Sequence, residues 1–492
     1  MKVLSKMRLR PSEKKYDDFP SISLSDHARY IYSASFRRLQ MKAQVFSLEN
    51  NAAVRSRLTH SMEVAHIGVF LVQKIVELIS EELSKGKAIN PHLKFILDED
   101  VAIRKTVETA CLIHDVGNPP FGHFGESAIS TWFGENKAIL EGKKKVNLSE
   151  SDYNYNDFIH FDGNPQGLRI ISKLQGTDAF GLNLTTSQLA ACIKYVASND
   201  TVGSNKLHHK KMGYFSTEEK VVSAIKTDLG ISGRHILAYL MEAADDISYC
   251  ISDIEDGFEK GIVSYELFFK YIKKSIYDFC ERDRDVGAVY SELPKLRSHI
   301  EDAEYIISKY NENFNDCTEE LEYKFLLFKT TLTNLSVKLV AFDFFVKFDD
   351  YLNGNVDALI REHTLVYDLQ EILKDFTRKY IFTSAEAERM ELGGYAIIYG
   401  LLDKFSPLLE LSRDDFIKIV EKKAGKKMAI CTRLFNLLSD KHVRAYVRSL
   451  HEGVCDKVEF NLRCHLITDY IAGMTDSFSL ETYQLLNGIK VG

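Results

Sequence analysis

Proline is scarce in this chain of 492 residues, 8 in all, so long helices can run without the break that its missing N–H imposes. No CxxC occurs among the eight cysteines, and their spacing fits neither a zinc ribbon nor a disulfide framework. Reduced, mostly buried thiols are expected. No run reaches the roughly 18 apolar residues that a membrane-crossing helix needs. The opening MKVLSKMRLRPSEKK lacks the long apolar core of a signal peptide. A cytoplasmic protein with no membrane partner is therefore expected. Excess positive charge is missing as well: the net charge is −7, which does not advertise nucleic-acid binding in bulk. Basic runs at 143–145, 208–211 and 421–427 read as solvated surface, although the first two lie near the motifs below. Internal repeats and low-complexity linkers are absent too.

What is there is helical pattern. Residues 60–84 place Val64, Ile67, Leu71, Val72, Ile75, Val76 and Ile79 at i, i+3, i+4 spacing on one face. Residues 101–115, 234–255, 320–346 and 390–404 read the same way. Two stretches differ. Residues 128–165, with Lys143, Lys144, Lys145 and SESDYNYND, read as a loop-rich insertion, and 199–217 as another irregular segment. The expected fold is all-α, with a catalytic core over 1–260 and a C-terminal helical region over 261–492 integrated with it.

One broken turn concentrates chemistry. CLIHDVGNPPFGHFGE, residues 111–126, carries His114 and Asp115 at a helix end, then Gly-Asn-Pro-Pro, then His123 and Glu126. With His60 at the start of one helix and Asp245 on another, it makes a mixed nitrogen and oxygen set. That set suits Mn²⁺, Mg²⁺, Fe²⁺ or a similar divalent ion rather than an all-sulfur structural zinc site. A histidine on a helix is more often core or surface than ligand. The prolines and glycines strengthen the metal reading, because a fixed turn re-aims His123 and Glu126 over the same helix end. Glu126 lies three residues after His123, so its carboxylate can hold the imidazole. His66 has no such support and reads as structural.

These residues resemble the HD superfamily of metal-dependent phosphohydrolases and, more narrowly, the bacterial dGTP triphosphohydrolases. The likeness runs through RRLQMKAQVFSLENNAAVRSRLTHSMEVAHIG (37–68), CLIHDVGNPPFGHFGE, HFDGNPQGLRII (160–171), EAADDISYCISDIEDG (242–257) and FTSAEAERMELGGYAIIYGLLD (382–403). It implies that His60, His114, Asp115 and Asp245 bind a divalent metal, Mn²⁺ or Mg²⁺, and that His123 and Glu126 form the catalytic pair. It implies triphosphate contacts at Arg57, Lys194, Tyr195 and Lys211. Tyr249 and Asp253 fall on the deoxyribose, and Gln44 and Val45 on the sugar-side wall. Phe382 and Glu391 fall on the guanine. Arg433 falls on an arginine that reaches a pocket, that of a neighbouring subunit.

The implied reaction is hydrolysis of dGTP at the α-phosphorus to deoxyguanosine and inorganic triphosphate. Family members assemble, often as hexamers, so a homo-oligomer is implied, and single-stranded DNA is a candidate partner. Many relatives read HDxGHxP and FEHN where this chain has Asn118 and Gly163. Both changes occur together in the guanine-specific branch and argue against the broad-specificity relatives. The alternatives are another HD phosphohydrolase, such as a broader dNTP triphosphohydrolase, a 5′-deoxynucleotidase or a guanosine tetraphosphate hydrolase, and a single-stranded-DNA-responsive nucleotide sensor. Without the resemblance, Phe382 reads as core and Glu391 as helix surface.

Overall fold

The computed structural model describes residues 1–144, 155–282, 293–313, 317–450 and 454–489. The architecture is all-α: helices joined by turns, with isolated bridges such as Ala43 to Ser56 but no strand among the described residues. The principal helices are α1 (Phe19–Ile31), α2 (Arg57–Ser84), α3 (Asp100–Ile113), α4 (Gly122–Lys144), α5 (Ile236–Glu259), α6 (Thr318–Val346), α7 (Leu365–Tyr380), α8 (Ala385–Glu410), α9 (Asp456–Ala472) and α10 (Asp476–Leu486). The stretches read as helical, 60–84, 101–115, 234–255, 320–346 and 390–404, fall on α2, α3, α5, α6 and α8. The described cysteines form no disulfide, and Cys111, Cys250, Cys317 and Cys464 are buried.

Helix α2 is the centre of the first core. Ser56 caps it through a capping box with Thr59. Its buried face, from Val64 through Ile79, packs against α3, α5 and α6. Its approach to α3 is close because Gly68 has no side chain: a Cβ there would lie 2.7 Å from Cys111 Sγ and 3.1 Å from Val107 Cγ1. By length and composition α6 could cross a membrane. Here Phe325, Phe328, Leu332 and Leu335 bury one face of it in a core shared with α7.

A second core joins α4 to the C-terminal helices. Ala128, Ile129, Trp132 and Phe133 form the apolar stripe of α4 and pack with Ile398, Leu401, Leu402 and Phe405 of α8. This corrects the loop-rich reading of 128–165. Its first part is helix to Lys144, and Asn156–Ile159 is a further short helix. Polar residues on the outer face of α4 hid a stripe at i, i+1, i+4, i+5. Residues 145–154 lie outside the described residues. The segment 199–217 is irregular, as expected, up to a short 3₁₀ turn at Ser216–Glu218.

Helix α9 is buried from Glu459 through Ala472, and charged groups along it are paired. Arg463 bonds Glu459 of the same helix, and Asp469 receives the Arg169 guanidinium at 2.8 Å. The apolar cores therefore cross residue 260 in both directions. Replacing Gly68 with valine should wedge α2 away from α3. Overpacking of this kind costs about 1–3 kcal/mol, so the midpoint of thermal unfolding should fall, as differential scanning calorimetry would show.

Candidate functional site

Four side chains from two helices and the end of a third meet at the base of a cleft. His60 lies one turn into α2, His114 and Asp115 follow α3, and Asp245 lies mid-way along α5. His60 Nε2 is 3.1 Å from Asp245 Oδ1. His114 Nε2 is 3.5 Å from the same oxygen and 3.6 Å from Asp115 Oδ1. Donor atoms of His60, His114 and Asp115 all lie within 4.8 Å of one another.

The tautomer of His114 fits metal binding. Its Nδ1 lies 2.6 Å from the Cys111 carbonyl and donates its proton there, so Nε2 is the nitrogen that faces the cluster. Burial works against an imidazolium at His114, yet Asp115 and Asp245 outweigh it and push the group up to about 9. Burial likewise opposes ionisation of Asp245, and the two histidines still hold it well below the usual carboxylate range. A half-buried carboxylate pair that raises the pKa of its neighbouring imidazole is a site suited to a cation. The two nitrogens and two carboxylates suit a divalent ion of hard-to-borderline character.

The turn after Asp115 is locked by its own side chains. Asn118 Nδ2 donates to Asp115 Oδ1 at 2.6 Å, while Arg57 holds Asp115 Oδ2 at 2.7 Å. Phe121 has a left-handed backbone, φ 61°, and reverses the chain into α4. His123 and Glu126 then sit on the first turn of α4, with His123 Nδ1 2.7 Å from Glu126 Oε2. The other Glu126 oxygen accepts from the Gly163 N–H at 2.7 Å. The His123 side chain is 83% exposed, so it stands at the cleft mouth, whereas Glu126 is buried. The hydrogen bond to Glu126 raises the His123 pKa above its ordinary value.

Asn118 and Gly163, the two departures from the commoner pattern, touch. A Cβ at position 163 would lie 2.0 Å from Asn118 Oδ1 and 3.1 Å from Glu126 Oε1. With a side chain at 163, Asn118 could not hold Asp115 in this conformation.

The cleft has a volume of about 580 Å³. Among the sequence-expected substrate contacts, Gln44, Val45, Arg57, Lys194, Tyr195, Lys211, Tyr249, Asp253, Phe382 and Glu391 all line it. Each cation is engaged with a carboxylate: Arg57 with Asp115, Lys194 with Glu242 at 3.4 Å, Lys211 with Asp162 at 2.8 Å. Asp253 is buried, and burial first, then the carboxylates of Asp256 and Asp245, push it up to about 8. It is thus protonated near neutrality and able to donate a hydrogen bond. Phe382 and Glu391 are on the cleft wall, not in the core or on open surface. Arg433 is exposed, and it is not among the lining residues of this cleft. His66 is exposed on α2, away from the cluster.

Sequence reasoning missed some of the lining. Asp162 partners Lys211 and lies within the HFDGN block, next to the glycine that drew attention. Asp246, adjacent to Asp245, also faces the cleft, and burial pushes it up to about 7. The doubled aspartate was the available signal. Met390, next to Glu391, had none.

Comparison with known proteins agrees with this geometry. A family model described as "Phosphohydrolase-associated domain" matches residues 417–485. Over 99% of its length the chain is 33% identical to a protein of Klebsiella pneumoniae subsp. pneumoniae named deoxyguanosinetriphosphate triphosphohydrolase, covering 97% of that protein. It is 34% identical, over 95% of its own length and 93% of the relative's, to a protein of the same name from Salmonella typhimurium.

Replacing Gly163 with alanine should expel Asn118 from Asp115 and crowd Glu126. Loss of an orienting hydrogen bond on a ligand typically costs 10–100-fold in metal affinity. Calorimetric titration with Mn²⁺ should show a weakening of roughly that size, and unchanged affinity would show that Asn118 does not hold the ligand.

Proposed function

Taking as premise that the chain belongs to the deoxyguanosinetriphosphate triphosphohydrolase family and is a hydrolase, we propose that it hydrolyses dGTP to deoxyguanosine and inorganic triphosphate. The observation that carries this reading is the arrangement of one cleft. A cluster suited to a cation, a histidine–carboxylate pair and three basic side chains face the same space.

His60, His114, Asp115 and Asp245 would hold one divalent ion, Mn²⁺ or Mg²⁺. Bound there, such an ion supplies Lewis-acid stabilisation of a phosphoryl group and a means of activating water near neutral pH. Arg57, Lys194 and Lys211 bind the polyanionic triphosphate, exchanging protein carboxylates for phosphate oxygens. Water attacks the α-phosphorus and the bond to the 5′-oxygen breaks. An alkoxide leaves poorly, so a proton must reach that oxygen. His123 gives it, because Glu126 holds the ring and favours its charged form. Residues 1–260 supply the phosphate chemistry. Residues 261–492 complete the base side, where Glu391 accepts the guanine N1–H and exocyclic amine and Phe382 stacks on the ring.

The protonated Asp253 donates to the sugar 3′-hydroxyl and Tyr249 packs on the deoxyribose. Gln44 and Val45 line the wall where a 2′-hydroxyl would be crowded. Exposed Arg433 serves a neighbouring subunit of a homo-oligomer, and single-stranded DNA is a ligand to test by salt-dependent binding.

The deciding experiment is incubation with dGTP and Mn²⁺ or Mg²⁺, followed by identification of the phosphate product. Triphosphate supports the reading, and orthophosphate or pyrophosphate places the chain with other phosphohydrolases. Equal rates on all four dNTPs and GTP would remove guanine selection. Changing His123 to alanine should cut turnover by about 10²–10⁴-fold with metal content intact, and near-normal turnover would remove the acid role. A general acid must be protonated, so turnover should fall as pH rises through the raised His123 pKa. Glu126→Gln removes the cause of that rise, and the falling limb of the pH–rate profile should move to lower pH.

A further inference from the structure

The turn that carries the site is held from the far end of the chain. The loop between α9 and α10 lies inside the segment matched as a phosphohydrolase-associated domain. Asp476, the first residue of α10, is buried and uses both carboxylate oxygens. One accepts the Phe121 N–H at 3.2 Å and the other the Ala43 N–H at 3.0 Å. The neighbouring Lys42 is buried too, and its ammonium donates to the Asn118 carbonyl and, at 2.9 Å, to the Ala472 carbonyl. The Lys42 carbonyl in turn accepts the Arg57 N–H at 2.9 Å.

Two buried polar side chains thus stitch three backbone segments together. Asn118 and Phe121 are the two ends of the reversal between the ligand pair and the His123–Glu126 pair. Phe121 is in the left-handed region, which a side-chain-bearing residue keeps only when its surroundings hold it there. Asp476 supplies the acceptor for its buried N–H. We propose that Asp476 and Lys42 are positioning residues, through which the α9–α10 loop sets the placement of His123 and Glu126. The assignment rests on the catalytic reading above, but the clamp itself is testable without it.

Asp476→Asn leaves one acceptor oxygen for two N–H groups, and Lys42→Met removes the donor that bridges the two loops. Glu481→Gln, on the exposed side of α10, is the control. Hydrogen–deuterium exchange of residues 116–126 should quicken tenfold or more in Asp476→Asn and Lys42→Met, with the α2 core unchanged and the control like wild type. With dGTP, kcat should fall at least tenfold while KM stays within threefold.

Unchanged exchange over 116–126 overturns the proposal. So does exchange that quickens equally throughout, or a KM that rises in step with a fall in kcat, because either marks general loosening. If wild type releases no triphosphate from dGTP, the functional reading fails and the exchange pattern alone decides the clamp.

Discussion

Two carboxylates, Asp115 and Asp245, are forced close together beside two imidazoles, and much of the surrounding structure manages the charge that this concentrates. Repulsion between them would spread α3 and α5 apart if nothing opposed it. Arg57 sits on one Asp115 oxygen and Asn118 on the other, and both histidines face Asp245. Arg55 adds a second tie, bonding Glu63 of α2 and Asp256 of α5 so that the two helices are fixed beside the cluster. The apolar contacts of α2 with α3, α5 and α6 supply the stability against which this electrostatic strain is held.

The same logic explains how much could be read from the sequence. Helices were legible where one face is apolar and the other wet, as in α2, because burial follows the 3.6-residue period. The body of α4 from residue 128 was not legible that way, because Trp132 and Phe133 sit among polar residues that lead to a charged run. The His114–Asp115 and His123–Glu126 pairs were visible because each lies within one short segment. Their meeting with His60 and Asp245 was suggested by residue chemistry and strengthened by resemblance, since nothing local ties residues 185 positions apart. Lys42 and Asp476 were beyond reach: each looks like an ordinary charged residue, and their shared role exists only after both loops are packed.

Asn118 and Gly163 illustrate a different kind of legibility. As letters they marked a branch of a family. As atoms they are one device, because the missing Cβ of Gly163 is the space that Asn118 occupies while it holds Asp115. The N–H of Gly163 also orients Glu126, so the Asn118–Asp115 side and the His123–Glu126 side of the cleft share one residue.

Gly394 of α8 has a Cβ position only 2.3 Å from the ring of Phe121, so that ring rests directly on the helix backbone less than one turn beyond Glu391. The α8 wall and the turn at 116–126 are therefore keyed as lock parts cut together. Transplanting α8 from a relative to alter base preference would import a mismatched key unless the turn at 116–126, and the loops braced on it, travelled in the same graft.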